Sequence, residues 1–241
     1  MELLRRIADR ATLSALGDLR PGARVLDLGA GDGRMLALLR RHGYRVSGVE
    51  PVAAAAVDGL GIQRATIESA EIEPSSADMV LLWHVLEHLD EPRAALEVAA
   101  RAARPHGRVV ISTPRLDSLQ AALGGDRWFH FDVPRHAAHF TRAGLVRLVE
   151  RAGLKVVRVS AGTVDQNLLG MTQTLLNELT CERNVGLRAL KGDRADVARR
   201  DLILTAPAVI PAALAAVLLE TTAVLAGRGG SLVVHAVRSD S

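Results

Sequence analysis

The hydrophobic pattern of the chain alternates between short apolar runs and helix-like stretches as far as residue 162. The apolar runs, each of strand length, lie at 24–28, 45–49, 61–67, 77–83, 108–113 and 154–160. Helix signals separate them: the stretch from Arg34 to His42, a cap and early proline at 90–92, and Thr141 ahead of an apolar face that ends at Gly153. This alternation predicts a parallel sheet wrapped by helices.

Three alternating glycines follow the first strand candidate, within residues 25–33. Glycine lets the backbone adopt positive φ and approach a ligand closely, and nucleotides bind at the carboxyl ends of parallel strands. The second strand candidate ends on Glu50, whose carboxylate can accept hydrogen bonds from both hydroxyls of a ribose. Arg34 stands where a dinucleotide fingerprint needs its third glycine. The pattern therefore predicts a nucleotide cofactor and disfavours a nicotinamide dinucleotide.

Further tracts follow the glycine turn in a fixed order. They are 76–88, which includes Leu86-Glu87-His88, then 104–114, then 128–136 with 139–141. With these tracts the chain resembles the class I S-adenosylmethionine-dependent methyltransferases, and in particular a bacterial subgroup similar to the ubiquinone-type O-methyltransferases. The likeness covers residues 20–162 well and 163–230 poorly. It implies an α/β, Rossmann-like fold of seven strands, mostly parallel with the last strand antiparallel, in a single domain over 1–241.

The resemblance implies S-adenosylmethionine as the cofactor and indicates which residues hold it. These are the glycine turn, the ends of the second and fourth strands, and the residues after the third strand that contact adenine in relatives: Asp27, Gly29, Ala30, Gly31, Gly33, Glu50, Pro51, Thr66, Ile67, Glu68, Trp83 and His84. Trp83 could equally fill the core.

Methyl transfer from a sulfonium is an in-line displacement, so the protein must mainly align the two reactants and exclude water. A hydroxyl acceptor also needs a base, and imidazole titrates near neutral pH. His136 is the first candidate, because it follows the fifth strand where this family places acceptor-binding residues; His139, His88 and His84 are the others. The alternative is that these loop histidines only satisfy backbone groups.

Asp132, Arg135 and His130 are candidates for binding the acceptor. Arg135 could hold a carboxylate or phosphate in two-point contact, unless it only pairs with Asp132 to fix the loop.

His84, Glu87 and His88 spell the inverted zinc-protease motif, but too little helix follows the strand to present both histidines on one face. Some ubiquinone-type relatives use magnesium here, with a glutamate at the position of His84. Magnesium prefers oxygen ligands, and we predict no metal.

Residues 163–230 would form a helical insertion between strands six and seven. Because it leaves and rejoins the sheet at the cofactor-facing edge, we expect it to cap the active site. Residues 202–219 carry no charge, but Pro207, Pro211 and the return to strand seven argue against a membrane span. The preceding segment, 183–200, holds six basic and two acidic residues. The basic segment and the apolar segment together could therefore dock on an anionic membrane surface. The alternative is a buried capping helix pair.

Composition and charge bear on the core of the protein, on its partners and on its location. The 241 residues are 49% hydrophobic and 2% aromatic, enough for one aliphatic core. The net charge of +3 comes from scattered basic residues, so we expect no nucleic-acid partner. The single Cys181 and the absence of an apolar leader indicate the cytoplasm, with contact at the inner face of the membrane as an option.

The leading hypothesis is an S-adenosylmethionine-dependent methyltransferase that acts at oxygen on a small-molecule or lipid- or glycan-linked acceptor. An NAD(P)-dependent oxidoreductase and a catalytically silent, membrane-associated cofactor-binding module are the alternatives.

Overall fold

A computed structural model describes residues 2–52, 59–192 and 197–238. Its sheet has seven strands in the order β3-β2-β1-β4-β5-β7-β6. The strands are β1 (Arg24–Leu28), β2 (Arg45–Val49), β3 (Ile62–Gln63), β4 (Ala77–Trp83), β5 (Ala103–Pro114), β6 (Leu154–Ala161) and β7 (Ser231–Arg238). β7 runs antiparallel to both β5 and β6, and the remaining pairs are parallel. The predicted fold class is confirmed.

Eight helices are found in the described ranges. They are α1 (Glu2–Leu16), α2 (Arg34–Arg41), α3 (Pro92–Ala102), α4 (Leu119–Gly124), α5 (Arg142–Arg151), α6 (Val164–Asn177), α7 (Val185–Leu190) and α8 (Arg199–Leu225). Short 3-10 turns cover Leu86–His88 and Gly125–Arg127. The side chain of Thr141 accepts from the backbone N–H of Gly144 and so caps α5, as the sequence predicts.

Three local predictions need correction. The fifth strand, expected over 108–113, is longer, Ala103–Pro114, because Ala103 also pairs with Ala77 of β4 before a shift of register. The third strand, expected over 61–67, is only Ile62–Gln63, because Thr66 and Ser69 exchange backbone and hydroxyl hydrogen bonds that turn the chain. The cap expected at Asp90 is also displaced: Glu91 occupies the N-cap of α3, without a side-chain cap bond, and Pro92 is the first helical residue. Proline is suited to that position since its missing N–H would have had no partner there.

The core is aliphatic and lies on both faces of the central strands. Every residue of β4 except Trp83 is buried, as expected for a parallel strand covered on both sides. On one face Leu82 and Ile111 belong to a cluster with α3 and α5 residues, and on the other Leu81 joins a cluster with Leu16 of α1 and Leu39 of α2. This rigid sheet fixes the positions at which its strands end.

The described part of the segment between β6 and β7 is helical, as predicted, and contains α6, α7 and α8. A buried polar network joins it to the sheet edge. Glu220 of α8 accepts from the backbone N–H of Gly230 (2.8 Å) and from Nε2 of Gln120 (2.9 Å), and the same Nε2 donates to the carbonyl of Asn167 in α6 (2.7 Å). α8 is thereby attached to α4, α6 and the start of β7.

We expect Glu220→Ala to lower the free energy of unfolding by about 1–3 kcal/mol, because it leaves buried donors on Gly230 and Gln120 without an acceptor. The matched control is Glu97→Ala on α3, whose exposed pair with Arg93 contributes only about 0.3–0.5 kcal/mol. Urea unfolding compares the two variants. Equal losses would contradict the structural role of the network.

Candidate active site

The glycine turn after β1 adopts the backbone conformations that the sequence predicts. Gly29, Gly31 and Gly33 have φ of +85°, +54° and +75°. A Cβ on Gly29 would lie 2.5 Å from Cγ2 of Val85, so a side chain cannot be accommodated there without a shift. A Cβ on Gly31 would meet no atom within 4 Å, so this part of the backbone faces open space. The turn is therefore shaped for close approach of a ligand.

Two adjoining cavities meet at this turn. The larger, of about 1200 Å³, runs along the ends of β2 and β4, and the second, of about 790 Å³, lies above the end of β1 against α1 and α6. Gly29, Gly31 and His84 line both. Each of the predicted cofactor residues lines one or the other except Gly33, which is buried at the N-cap of α2.

Glu50 fixes the shape of the turn. Its Oε2 accepts from the backbone N–H of Gly31 at 2.9 Å, and its Oε1 accepts from the N–H of Val52 at 3.0 Å. A carboxylate has about four acceptor positions. Glu50 therefore keeps capacity for the two hydroxyls of a ribose while it ties the β1 turn to the end of β2.

Asp27 is the most unusual group of the site. Its side chain is 2% exposed, and its Oδ1 is buried without any hydrogen-bond partner. Burial, and then the negative charge of Glu50, raise the pKa of Asp27 to about 7. An unsatisfied buried carboxylate is costly unless a cation or donor reaches it. The second cavity, which Asp27 lines, is thus suited to a ligand that carries an ammonium group.

His84 is bonded at both ring nitrogens. Its Nδ1 lies 3.1 Å from Oε1 of Glu87, and its Nε2 lies 2.8 Å from Oε1 of Gln166 in α6. Burial is the largest single effect on His84 and would lower its pKa, but the hydrogen bonds to Glu87 and Gln166 and the charges of Glu87 and Asp165 together raise it. Burial would likewise raise the pKa of the Glu87 carboxyl, but the bond and charge of His84, with smaller contributions from a backbone bond and His88, together lower it. The pair braces the loop after β4 against the insertion.

The predicted acid–base histidines occupy different depths. His88 is exposed and lines the larger cavity, with its Nδ1 2.9 Å from the carbonyl oxygen of Arg135. His136 lies beneath it, 6% exposed, and its Nδ1 is 2.7 Å from the carbonyl oxygen of His130. Nε2 of His139 is bonded to the same carbonyl at 3.2 Å. His136 and His139 line neither cavity. His136 is therefore buried in the loop and does not face the cleft, contrary to the expectation from the sequence.

Of the acceptor-binding candidates, Arg135 reaches the larger cavity. It also pairs with Asp132 at 2.7 Å, so the loop-fixing contact and the exposed guanidinium coexist. His130 lines neither cavity, and burial lowers its pKa well below the ordinary value. Among the predicted acceptor ligands, Arg135 is the one that the structure brings to the cofactor cleft.

Among the residues that the structure describes, Glu87, His88 and His136 form a group that could hold a metal. Their donor atoms lie within 4.8 Å of one another. Two imidazole nitrogens and one carboxylate suit zinc better than magnesium, which prefers an all-oxygen shell. His84 does not join them: its φ is +54°, and only a single 3-10 turn follows it, so the zinc-protease motif is not presented on a helix.

Comparison with known proteins decides the family. A family model described as a methyltransferase domain matches residues 2–159. The chain belongs to this methyltransferase family. It is 33% identical over 153 residues to a ubiquinone biosynthesis O-methyltransferase of Aeromonas salmonicida, a match that covers 56% of this chain and 64% of that protein. A protein of the same name from Hahella chejuensis is 31% identical over 159 residues, covering 56% and 67%. The chain thus spans about two thirds of these relatives or slightly less.

Solved structures show the same fold. The cyclase SpnF has a TM-score of 0.62 at 20% identity, covering 98% of this chain and 81% of that one. Phosphoethanolamine N-methyltransferase 2 of Haemonchus contortus, solved with S-adenosyl-L-methionine, has a TM-score of 0.60 at 14% identity, covering 96% and 52%. At such identities the likeness concerns the fold alone. The family match confirms the predicted enzyme class, an S-adenosylmethionine-dependent methyltransferase, over the nicotinamide oxidoreductase.

The residues of the methyltransferase fit this cofactor. The orphaned Oδ1 of Asp27 can accept from the ammonium of its methionine portion, and Glu50 can accept from its ribose. Among the residues of the second cavity that the sequence reasoning missed are Asp165 and Gln166 at the start of α6. No signal pointed to them, because the insertion lies outside the matching motifs.

We expect the affinity for S-adenosylhomocysteine, which keeps the ammonium group, to fall by about tenfold per pH unit below pH 7. Asp27 with its pKa of about 7 must lose a proton before it can pair with that ammonium, and protons compete with the ligand below this pKa. Calorimetric titration between about pH 5 and 8 measures how this affinity depends on pH. Asp27→Asn should bind weakly at every pH; a variant with the wild-type pH profile would remove Asp27 from the site.

Proposed function

We propose that this methyltransferase transfers a methyl group to a hydroxyl oxygen of a small-molecule or lipid- or glycan-linked acceptor, with His88 as the base. One observation carries the proposal. A carbonyl oxygen can only accept, so Nδ1 of His88 donates a hydrogen bond to the backbone carbonyl of Arg135. In the neutral ring this leaves Nε2 as an unprotonated acceptor, on a residue that lines the larger cavity. The names of the most similar relatives, which specify O-methylation, support an oxygen acceptor.

The bound cofactor supplies an electrophilic methyl group, and the chain's own residues prepare the acceptor. Nε2 of His88 takes the hydroxyl proton as the oxygen attacks, which general-base catalysis accelerates by roughly 10²–10⁴-fold. Both nitrogens of His84 are already bonded, so His84 orients the loop and does not exchange protons with the acceptor. Asp165 and Gln166 bring the start of α6 over the second cavity, which supports a role of the insertion as a cap that excludes water.

The outer face of α8 supports a lipid-linked acceptor. α8 is long and apolar enough to cross a membrane by length and composition, with a mean hydropathy of 2.4 over its most apolar window, of which 17% is buried. Its buried residues are small or polar: Asp201, Thr205, Ala212, Ala216, Glu220 and Ala223. Its exposed residues include large aliphatic ones: Ile203, Leu204, Val209, Ile210, Leu214, Val217, Leu218, Val224 and Leu225. This is the reverse of the pattern for a helix that faces water.

A peripheral position at the membrane accounts for that reversal better than a span. α8 leads through residues 226–230 directly into β7, which is hydrogen-bonded between β5 and β6, so the end of the helix is held at the sheet. The exposed Arg199 and Arg200 begin the helix and Arg228 follows it, which suits anionic headgroups around the apolar face. We place the protein in the cytoplasm, with α8 against the inner face of the membrane.

His88→Asn should reduce methyl transfer by roughly 10²–10⁴-fold while leaving the affinity for S-adenosylhomocysteine unchanged, because the base is lost and the cofactor contacts remain. The assay follows S-adenosylhomocysteine release over a panel of prenylated catechols and lipid-linked sugars. The matched control is His106→Asn, because His106 is an exposed histidine near the start of β5 that lines neither cavity.

A His88 variant with full activity would return the role of base to His136. Cofactor binding without turnover of any acceptor by the wild-type protein would favour the catalytically silent module.

The double variant Ile210→Ser, Leu218→Ser should lose most of its flotation with vesicles that contain phosphatidylglycerol. Both side chains are 72% exposed, and burial of such a side chain in the lipid interface contributes about 1.5–3 kcal/mol. Val52→Ser, Val157→Ser removes exposed apolar side chains elsewhere and should float like the wild type. Failure of the wild type to float would overturn the membrane proposal and leave the methyltransferase assignment standing.

A further inference from the structure

A third cavity, of about 390 Å³, lies between the loop that carries Arg135 and the helix α7. Four of its lining residues are basic: Arg135, Arg183, Arg188 and Lys191. Phe129, Phe131 and Val133 supply apolar wall on the loop side, and Asp132 is the acidic residue that lines it. The size is at the lower end of the range for small-ligand sites, about 300–1,000 Å³.

Among the residues that the structure describes, the acidic groups near this cavity offset its positive charge only in part. The carboxylate of Asp132 forms a salt bridge with Arg135 at 2.7 Å, and that of Glu182 forms one with Arg188 at 2.8 Å. Arg183 lies 3.8 Å from the carboxylate of Asp126, which is 86% exposed, so solvent screens that pair strongly. A cavity with such walls concentrates anions, because its apolar sides focus the field of the cations.

The cavity adjoins the proposed methyl-transfer site. Arg135 lines both this cavity and the larger one, and its carbonyl oxygen holds Nδ1 of His88. An acceptor whose hydroxyl meets His88 would therefore place a neighbouring part of itself beside Arg135, Arg183 and Lys191. Guanidinium groups bind phosphate oxygens in two-point contacts, and several cations together favour a ligand with more than one negative charge.

We propose that this cavity binds a phosphoryl group of the acceptor, a phosphate or diphosphate, and so selects acceptors that carry one. The inference rests on the proposed function, since it takes the adjoining cleft as the place of methyl transfer. A soluble phosphorylated molecule and a lipid-linked diphosphate share this chemistry. The insertion that contributes Arg183, Arg188 and Lys191 would then determine substrate specificity as well as cover the site.

The test is calorimetric titration of inorganic pyrophosphate into the full chain saturated with S-adenosylhomocysteine. The wild type should bind pyrophosphate with an affinity that falls as salt rises. Arg183→Gln, Lys191→Gln should weaken this binding by roughly tenfold or more, as expected when two charge-assisted contacts are removed. Arg147→Gln, Lys155→Gln removes the same charge from exposed positions on α5 and β6 and should bind like the wild type.

No binding by the wild type, or an equal loss in both double variants, would overturn the proposal. A third result would also overturn it: binding to phosphatidic acid vesicles that requires Arg183 and Lys191 but is not displaced by pyrophosphate. In that case these two residues would contact membrane headgroups and not a phosphoryl group in the cavity. Farnesyl diphosphate distinguishes the two sources: tighter binding than pyrophosphate supports a lipid-linked acceptor, and equal binding supports a soluble one. Pyrophosphate binding that survives in an inactive His88→Asn variant separates this site from the catalytic proposal.

Discussion

The buried carboxyl of Asp27 is the constraint around which the site is organised. It lies at the end of β1, shielded from water, with one oxygen that no group of the described chain reaches. Only a rigid sheet could hold such a group, because an ordinary buried carboxyl would move until it found a donor. The arrangement destabilises the free protein at pH values where Asp27 would ionise in the unfolded chain, and a cationic ligand relieves it.

The rest of the site depends on contacts between the sheet and the insertion. Glu50 ties the glycine turn to β2, and the His84–Glu87 pair is joined to α6 through Gln166. The network of Glu220 and Gln120 then anchors α8 to the same edge. Contacts through α6 and Gln120 thus connect the loop after β4 to the helix whose aliphatic face points outward.

The parts of the fold that follow from local pattern could be predicted from the sequence. β1, β2 and β4 have the predicted bounds, because short apolar runs flanked by polar turns leave little choice. The third strand could not be bounded, since the turn made by Thr66 and Ser69 interrupts an apolar run. The depth of His136 depends on how the loop folds back on the carbonyl of His130, a contact without a sequence signal. The direction in which α8 faces was likewise hidden, because residues 202–219 are uncharged all round.

A crystal structure of the protein with S-adenosylhomocysteine tests the central claim most directly. The account predicts that the ammonium nitrogen of the ligand lies within hydrogen-bond distance of Oδ1 of Asp27, and that its ribose hydroxyls lie against Glu50. A complex in which the ammonium binds elsewhere and Oδ1 of Asp27 is still without a partner would contradict it.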